Sequence, residues 1–114
     1  MNIKLAKTEL IHFVGIGGIG MSGLAIIMSG LGFKIQGSDI SKNKNIDRLK
    51  KNKIKVFIGH SKINIKKSTI IVISSAIKKN NPELIQARKK KLPIYKRGEM
   101  LGHIVSLMKN IVVA

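Results

Sequence analysis

Gly15-Ile16-Gly17-Gly18-Ile19-Gly20 fits the pattern G-x-G-x-x-G, directly after the apolar run Ile11-His12-Phe13-Val14 and at the head of a helix-like segment. A loop of this kind can hold a diphosphate. The first glycine permits a tight strand-to-helix turn, the second lets backbone amides approach the anion, and the third lets the helix lie close to the sheet. The unpaired N–H groups and partial positive charge of the helix N-terminus complete the anion site. The alternative is a glycine-rich turn that serves packing alone. Asp39 follows Gly20 by nineteen residues. At the end of a second strand it is placed to accept hydrogen bonds from a ribose hydroxyl or another nucleoside group, although Gly37-Ser38-Asp39 is also good turn chemistry. His60, Ser74 and Ser75 fall just past expected strand ends, the edge where open α/β sheets bind ligands. Their side chains and nearby amides can grip phosphate, sugar or uracil groups. His12, inside a strand, reads as a packing residue.

Other chemistries lack their residues. The chain has no cysteine, which excludes disulfides, thiolate metal sites and thiol catalysis. No G-x-x-x-x-G-K-[ST] loop is present to hold ATP phosphates with magnesium. No Ser–His–Asp order, paired carboxylates or metal-ligand spacing stands out, so no catalytic residue and no metal ligand is assigned. The fragment reads as a binding domain.

The elements that must position these residues follow from periodicity. Met21, Leu24, Ala25, Ile27, Met28 and Leu31 fall at helical spacing, with Gly30 and Gly32 as the stop. Phe33 to Gly37 reads as a second strand, Asn45 to Lys53 as a helix, and Ile54 to Ile58 as a third strand. The β-branched run Thr69 to Ile73 suits a parallel strand buried on both faces. After a polar loop, Asn81-Pro82-Glu83 opens a helix to about Lys91, with Asn as N-cap, Pro at the first position and an acid for the dipole. Pro93 to Tyr95 is a short fifth strand, Gly98 to about Met108 a last helix, and Ile111 to Ala114 another strand. Alternating strands and helices predict an α/β fold, an open parallel sheet of about five strands with helices on both faces.

Composition sets outer limits. Of 114 residues, 22 are Lys or Arg and 5 are Asp or Glu, for a net charge of +17; hydrophobic residues make up 44%. That apolar share suits one globular domain. Nineteen of the cations are lysine, and Ile outnumbers Leu 21 to 9, a bias expected of AT-rich codons. Only four aromatics occur, whereas a single-strand nucleic-acid binder interleaves aromatics with its cations. No specific nucleic-acid partner is expected, though a basic module that binds any duplex in a salt-dependent way stays as an alternative. Ile11 to Phe33 carries no formal charge, which invites a membrane span. Its seven glycines argue for a turn instead, so no membrane association is expected.

The stretch from His12 to Gly23 resembles the opening of the Mur ligases, in particular the members that add L-alanine to UDP-N-acetylmuramate. The likeness continues through Gly37-Ser38-Asp39, Phe57-Ile58-Gly59-His60, Ser74-Ser75-Ala76-Ile77 with Asn81-Pro82-Glu83, and Arg97-Gly98-Glu99-Met100-Leu101. The resemblance implies a three-domain cytoplasmic enzyme of peptidoglycan synthesis, whose N-terminal Rossmann-like domain holds the UDP end of the substrate. In that family ATP phosphorylates the muramyl carboxylate, and alanine attacks the acyl phosphate to give amide, ADP and phosphate. Carried onto this sequence, residues 1–108 are the UDP-substrate domain and 109–114 the first strand of a truncated central ATP-binding domain. The chain is thus expected to be cut short. The substrate-binding set is Gly15, Ile16, Gly17, Gly18, Ile19, Gly20, Ser38, Asp39, His60, Ser74, Ser75, Ala76 and Arg97. No cofactor is expected in this fragment; ATP and magnesium belong to the full-length enzyme, and ATP and L-alanine engage only with the missing domains. An NAD-binding regulatory domain remains the rival reading of the same glycine loop.

Overall fold

The computed structural model describes residues 3–113. Strand β1 (Leu10–Val14) alternates as a half-turn repeat demands: Ile11 and Phe13 enter the larger apolar core, and Val14 joins a smaller one on the opposite face. His12, also on that second face, is fully buried. The chain then runs through a turn into α1 (Ile19–Gly30), β2 (Lys34–Asp39), α2 (Lys44–Lys51) and β3 (Lys55–Ile58). After a 3-10 turn (Lys62–Ile65) come β4 (Ile70–Ile73), α3 (Pro82–Lys89), β5 (Ile94–Lys96) and α4 (Arg97–Val113).

All five strands are parallel, in the order β3-β2-β1-β4-β5. The chain winds outward from β1 to β3, then returns to the other side of β1 for β4 and β5. The strand order therefore reverses between β1 and β4, which is where such sheets open a crevice at their C-terminal ends. Helices α1, α2 and α4 cover the larger core, in which Phe13, Leu24, Met28, Leu49, Val72 and Ile104 are buried. Helix α3 and the 3-10 turn cover the other face, where Val14, Ile65, Ile71 and Ala87 form a small cluster. The expected α/β sheet with helices on both faces is thus present.

Local signals explain most boundaries. The Asn43 side chain accepts a hydrogen bond from the Ile46 amide and caps α2, and Asn81 caps α3 through the Glu83 amide with Pro82 at the first position. Glu99 Oε1 accepts from the Lys96 amide at 2.8 Å and secures the start of α4. The uncharged stretch Ile11 to Phe33 is divided among β1, the glycine turn and the twelve-residue α1. Among the described residues no helix is long and apolar enough to cross a membrane.

One element departs from expectation. Ile111 to Ala114 reads as a strand from its β-branched residues, but α4 continues without a break through Val113; Ala114 lies outside the described residues. A strand needs a neighbour to satisfy its backbone. A helix already fourteen residues long at Asn110, of the seventeen it reaches at Val113, extends by one local hydrogen bond per residue.

Candidate functional site

The C-terminal ends of β1 and β4 meet at the reversal point. Gly15 sits there at φ +84°, a conformation that L side chains rarely adopt, and a Cβ on it would lie 3.1 Å from Ser74 Oγ. The Gly15 and Ile16 amides both donate to the Ser38 carbonyl, which folds the loop back over β2. Ile16 is fully buried, and its side chain lies where a Cβ on Gly37 would be 2.6 Å from Ile16 Cδ1.

Gly17 is not open to an anion in the way its pattern position suggests. Its amide donates to Asp39 Oδ2 at 2.7 Å, and its carbonyl accepts from Asn45 Nδ2 at 2.8 Å and Asn43 Nδ2 at 3.3 Å. The second glycine is required because a Cβ would fall 2.7 Å from Asp39 Oδ2 and 3.0 Å from Ile46 Cδ1. The third has a different neighbour from the one expected: a Cβ on Gly20 would meet Arg97 Cδ at 3.0 Å and Cζ at 3.2 Å, rather than the sheet. Arg97 therefore lies across the first turn of α1. Gly18 is the N-cap of that helix and supplies no side-chain cap, and no acid occupies its first turn. The amides of that turn lack partners within the helix and lie beside a guanidinium, and its first residue, Ile19, is 86% exposed.

Two clefts flank Ser74. The first, of about 410 Å³, is lined by Gly15, Gly18, Asp39, His60, Ser74 and Ala76, together with Ile40, Asn80 and Asn81. The second, of about 480 Å³, is lined by Ser74, Ser75, Lys96 and Arg97. Asp39 also accepts from the Ile40 amide at 2.7 Å, so each carboxylate oxygen keeps one direction for a ligand. Of the sequence-derived set, the structure gathers Gly15, Gly18, Asp39, His60, Ser74, Ser75, Ala76 and Arg97 around these clefts. Ser38 and Ile16 are fully buried and line neither cleft, and Gly17, Ile19 and Gly20 lie in the loop and first turn of α1 outside both linings.

Ser38 belongs to a polar cluster centred on Glu83. Glu83 Oε1 accepts from His12 Nε2 and from the Ser38 hydroxyl, each at 2.6 Å. Oε2 accepts from the Ser61 amide at 3.1 Å and Asn64 Nδ2 at 2.9 Å. His60 Nδ1 lies 2.9 Å from Ser38 Oγ. Burial alone would raise the Glu83 carboxyl, but the hydrogen bonds it accepts from His12, Ser38 and Asn64 outweigh that and hold it well below its ordinary value. His12 does pack inside the sheet as expected, yet as a polar partner. Glu83, read from sequence as a dipole acid, was missed. The one available signal was a polar residue, His12, between apolar neighbours in a buried strand. Among the described residues no three His, Asp or Glu side chains form a possible metal site.

These features define a doubly wound, Rossmann-like domain with its clefts at the switch point, lined by helix-terminal amides, hydroxyls and one guanidinium. The chain belongs to the Mur ligase family: the family model for the Mur ligase catalytic domain matches residues 10–109. It is 74% identical over 113 residues to the UDP-N-acetylmuramate–L-alanine ligase of Pelagibacter ubique, covering 99% of this chain and 24% of that protein. The corresponding ligase of Azorhizobium caulinodans is 50% identical over 104 residues, 91% of this chain and 22% of that protein. The crystal structure of a UDP-N-acetylmuramate–alanine ligase from Thermotoga maritima superposes with a TM-score of 0.77 at 35% identity, covering 88% of this chain and 23% of that one. The chain thus spans about a quarter of the length of the relatives it matches.

Proposed function

We propose that this chain is the part of a cytoplasmic UDP-N-acetylmuramate–L-alanine ligase that holds the UDP end of the substrate during peptidoglycan precursor synthesis. The observation that carries the reading is the convergence of Arg97 on the first turn of α1. A guanidinium and a helix N-terminus without a side-chain cap attract the same group, a diphosphate. The amides of Ile19 and Gly20 hold that anion, while the Gly17 peptide and the Gly18 amide, which donates to the Gly15 carbonyl at 3.4 Å, fix the loop's shape. Asp39 and His60 take the nucleoside side in the first cleft. Ser74, Ser75 and Ala76 form the ridge between the clefts, with Arg97 beyond it. The names carried by the relatives supply the muramyl substrate and the alanine acceptor.

ATP and magnesium do not fit the donor set of this chain. The glycine loop has no following Lys-Ser or Lys-Thr pair, and Glu83 is fully engaged. We assign both to the other three quarters of the ligase, together with L-alanine, and take residues 109–114 as the lead into that region. This chain's contribution is to bind and orient.

A thermal-shift comparison of UDP-N-acetylmuramate with NAD at matched concentration tests the proposal. At 100 times its dissociation constant the ligand stabilises the chain by about 2.7 kcal/mol, so a clear upward shift with the UDP sugar is expected. A larger shift with NAD would overturn the reading in favour of a dinucleotide-binding regulatory domain.

A further inference from the structure

Among the described residues, Glu83 is the only carboxylate with no solvent exposure, and its place in the fold is unusual. It ties α3 to β1 through His12, to β2 through Ser38, and to the segment after β3 through Ser61 and Asn64. Four donors occupy its two oxygens, which leaves His60 Nδ1, 3.5 Å from Oε2, to bond elsewhere.

The hydrogens in this cluster can be placed one at a time. Gln36 Nε2 has two hydrogens and three neighbours, the Asn64 carbonyl and His12 Nδ1 at 2.8 Å each and Ser68 Oγ at 3.1 Å, and the two shorter contacts take the hydrogens. The amide nitrogen is a donor only, so His12 Nδ1 accepts and His12 Nε2 carries the hydrogen given to Glu83. An ionised carboxylate accepts only, so the single hydroxyl hydrogen of Ser38 points at Oε1. Ser38 Oγ then faces His60 Nδ1 as an acceptor, at 2.9 Å. His60 Nδ1 must therefore be the hydrogen-bearing nitrogen, and Nε2 keeps its lone pair. The two histidines hold opposite tautomers because a carboxylate orders the chain between them. The His60 ring is 12% exposed and lines the first cleft beside Asp39 and Asn81.

We propose that Glu83, acting through Ser38, is a positioning residue that fixes His60 with its hydrogen on Nδ1 and presents Nε2 to the cleft as an acceptor for a hydroxyl or N–H of the bound nucleotide. This rests on the reading of the first cleft as the nucleoside side of the substrate site. Asp39 and His60 then both accept, so the cleft selects a ligand group rich in donors, as a ribose diol or a pyrimidine imide is.

Long-range nitrogen–proton correlation spectra of the ¹⁵N-labelled chain at pH 8 test the positioning without any ligand, with His60→Gln used for assignment. The expected result is hydrogen on Nδ1 in His60 and on Nε2 in His12. Ser38→Ala, checked for folding by circular dichroism, should return His60 toward the Nε2–H form. An Nε2–H or doubly protonated His60 in the unsubstituted chain, or no change in Ser38→Ala, overturns the proposal. Titration with UDP-N-acetylmuramate supplies the second arm. Ser38→Ala and His60→Gln should each weaken binding by roughly fivefold to tenfold, and the double variant no further. Additive losses would overturn the coupling. An unsubstituted chain that fails to bind at all would remove the substrate reading, while the tautomer spectra still decide the role of Glu83.

Discussion

Gly17 shows how a residue can satisfy a motif for a reason other than the one the motif suggests. Its peptide is held at both ends, by Asp39 on the amide and by Asn43 and Asn45 on the carbonyl. Gly17→Val should therefore act by displacing Asp39 and Ile46, which stand 2.7 and 3.0 Å from a Cβ, and only indirectly on the diphosphate. We expect loss of detectable UDP-N-acetylmuramate binding and about 1–3 kcal/mol of destabilisation, measured by ligand titration and urea unfolding. Full affinity in a folded variant would show that this loop does not hold the ligand. Glu83 carries a second prediction at this scale. Its folded-state value, about 2, lies below the ordinary 4.5, so its ionised form stabilises the fold fully above about pH 4.5. That contribution is lost as the pH falls from there through the lowered folded-state value. Urea midpoints for the chain should drop through this window, and Glu83→Gln should flatten the drop. An equally steep decline in Glu83→Gln would assign acid sensitivity to other groups.

Between elements, β2 approaches β1 and the turn leaving it closely at Gly37. A Cβ on Gly37 would lie 2.6 Å from the Phe13 carbonyl oxygen and 2.6 Å from Ile16 Cδ1. Because one of these is backbone within the sheet, Gly37→Ala should cost more than the usual 1–3 kcal/mol of overpacking, read as a lowered urea midpoint. A midpoint unchanged within error would mean that β2 can slide away from the turn. The elements themselves were legible in the sequence wherever one residue carried the boundary, as Asn81-Pro82 does for α3, or where a strict period did, as in α1. The glycine loop, Asp39 and His60 could be placed because strand ends in a parallel sheet converge on one edge. Two things were not legible. The run Ile111 to Val113 has strand propensity but takes its structure from the helix preceding it. Glu83 meets partners 71, 45 and 19 residues away, and no local pattern records contacts of that separation.

At the scale of the molecule, the question is what a chain with 22 cations and five acids can do by itself. Of the acids, Asp39 braces the glycine loop, Glu83 orders the buried cluster, and Glu99 secures α4. Each is already committed to the architecture. Cations alone do not transfer a phosphoryl group: the reaction needs a nucleotide held by a phosphate loop or its equivalent, with metal to neutralise the developing charge. Arg97 and the α1 terminus can hold one anion, but holding the UDP end lowers no barrier unless carboxylate and γ-phosphate are brought together. We therefore expect this chain, given ATP, magnesium, L-alanine and UDP-N-acetylmuramate, to bind the sugar nucleotide and form no amide. The measurement is ADP release and alanyl product from this chain, beside a full-length relative assayed in parallel. Product from the 114 residues alone, above a mock-purified control, would mean that the lysine-rich surface assembles a phosphoryl-transfer site that neither the clefts nor the acids suggest.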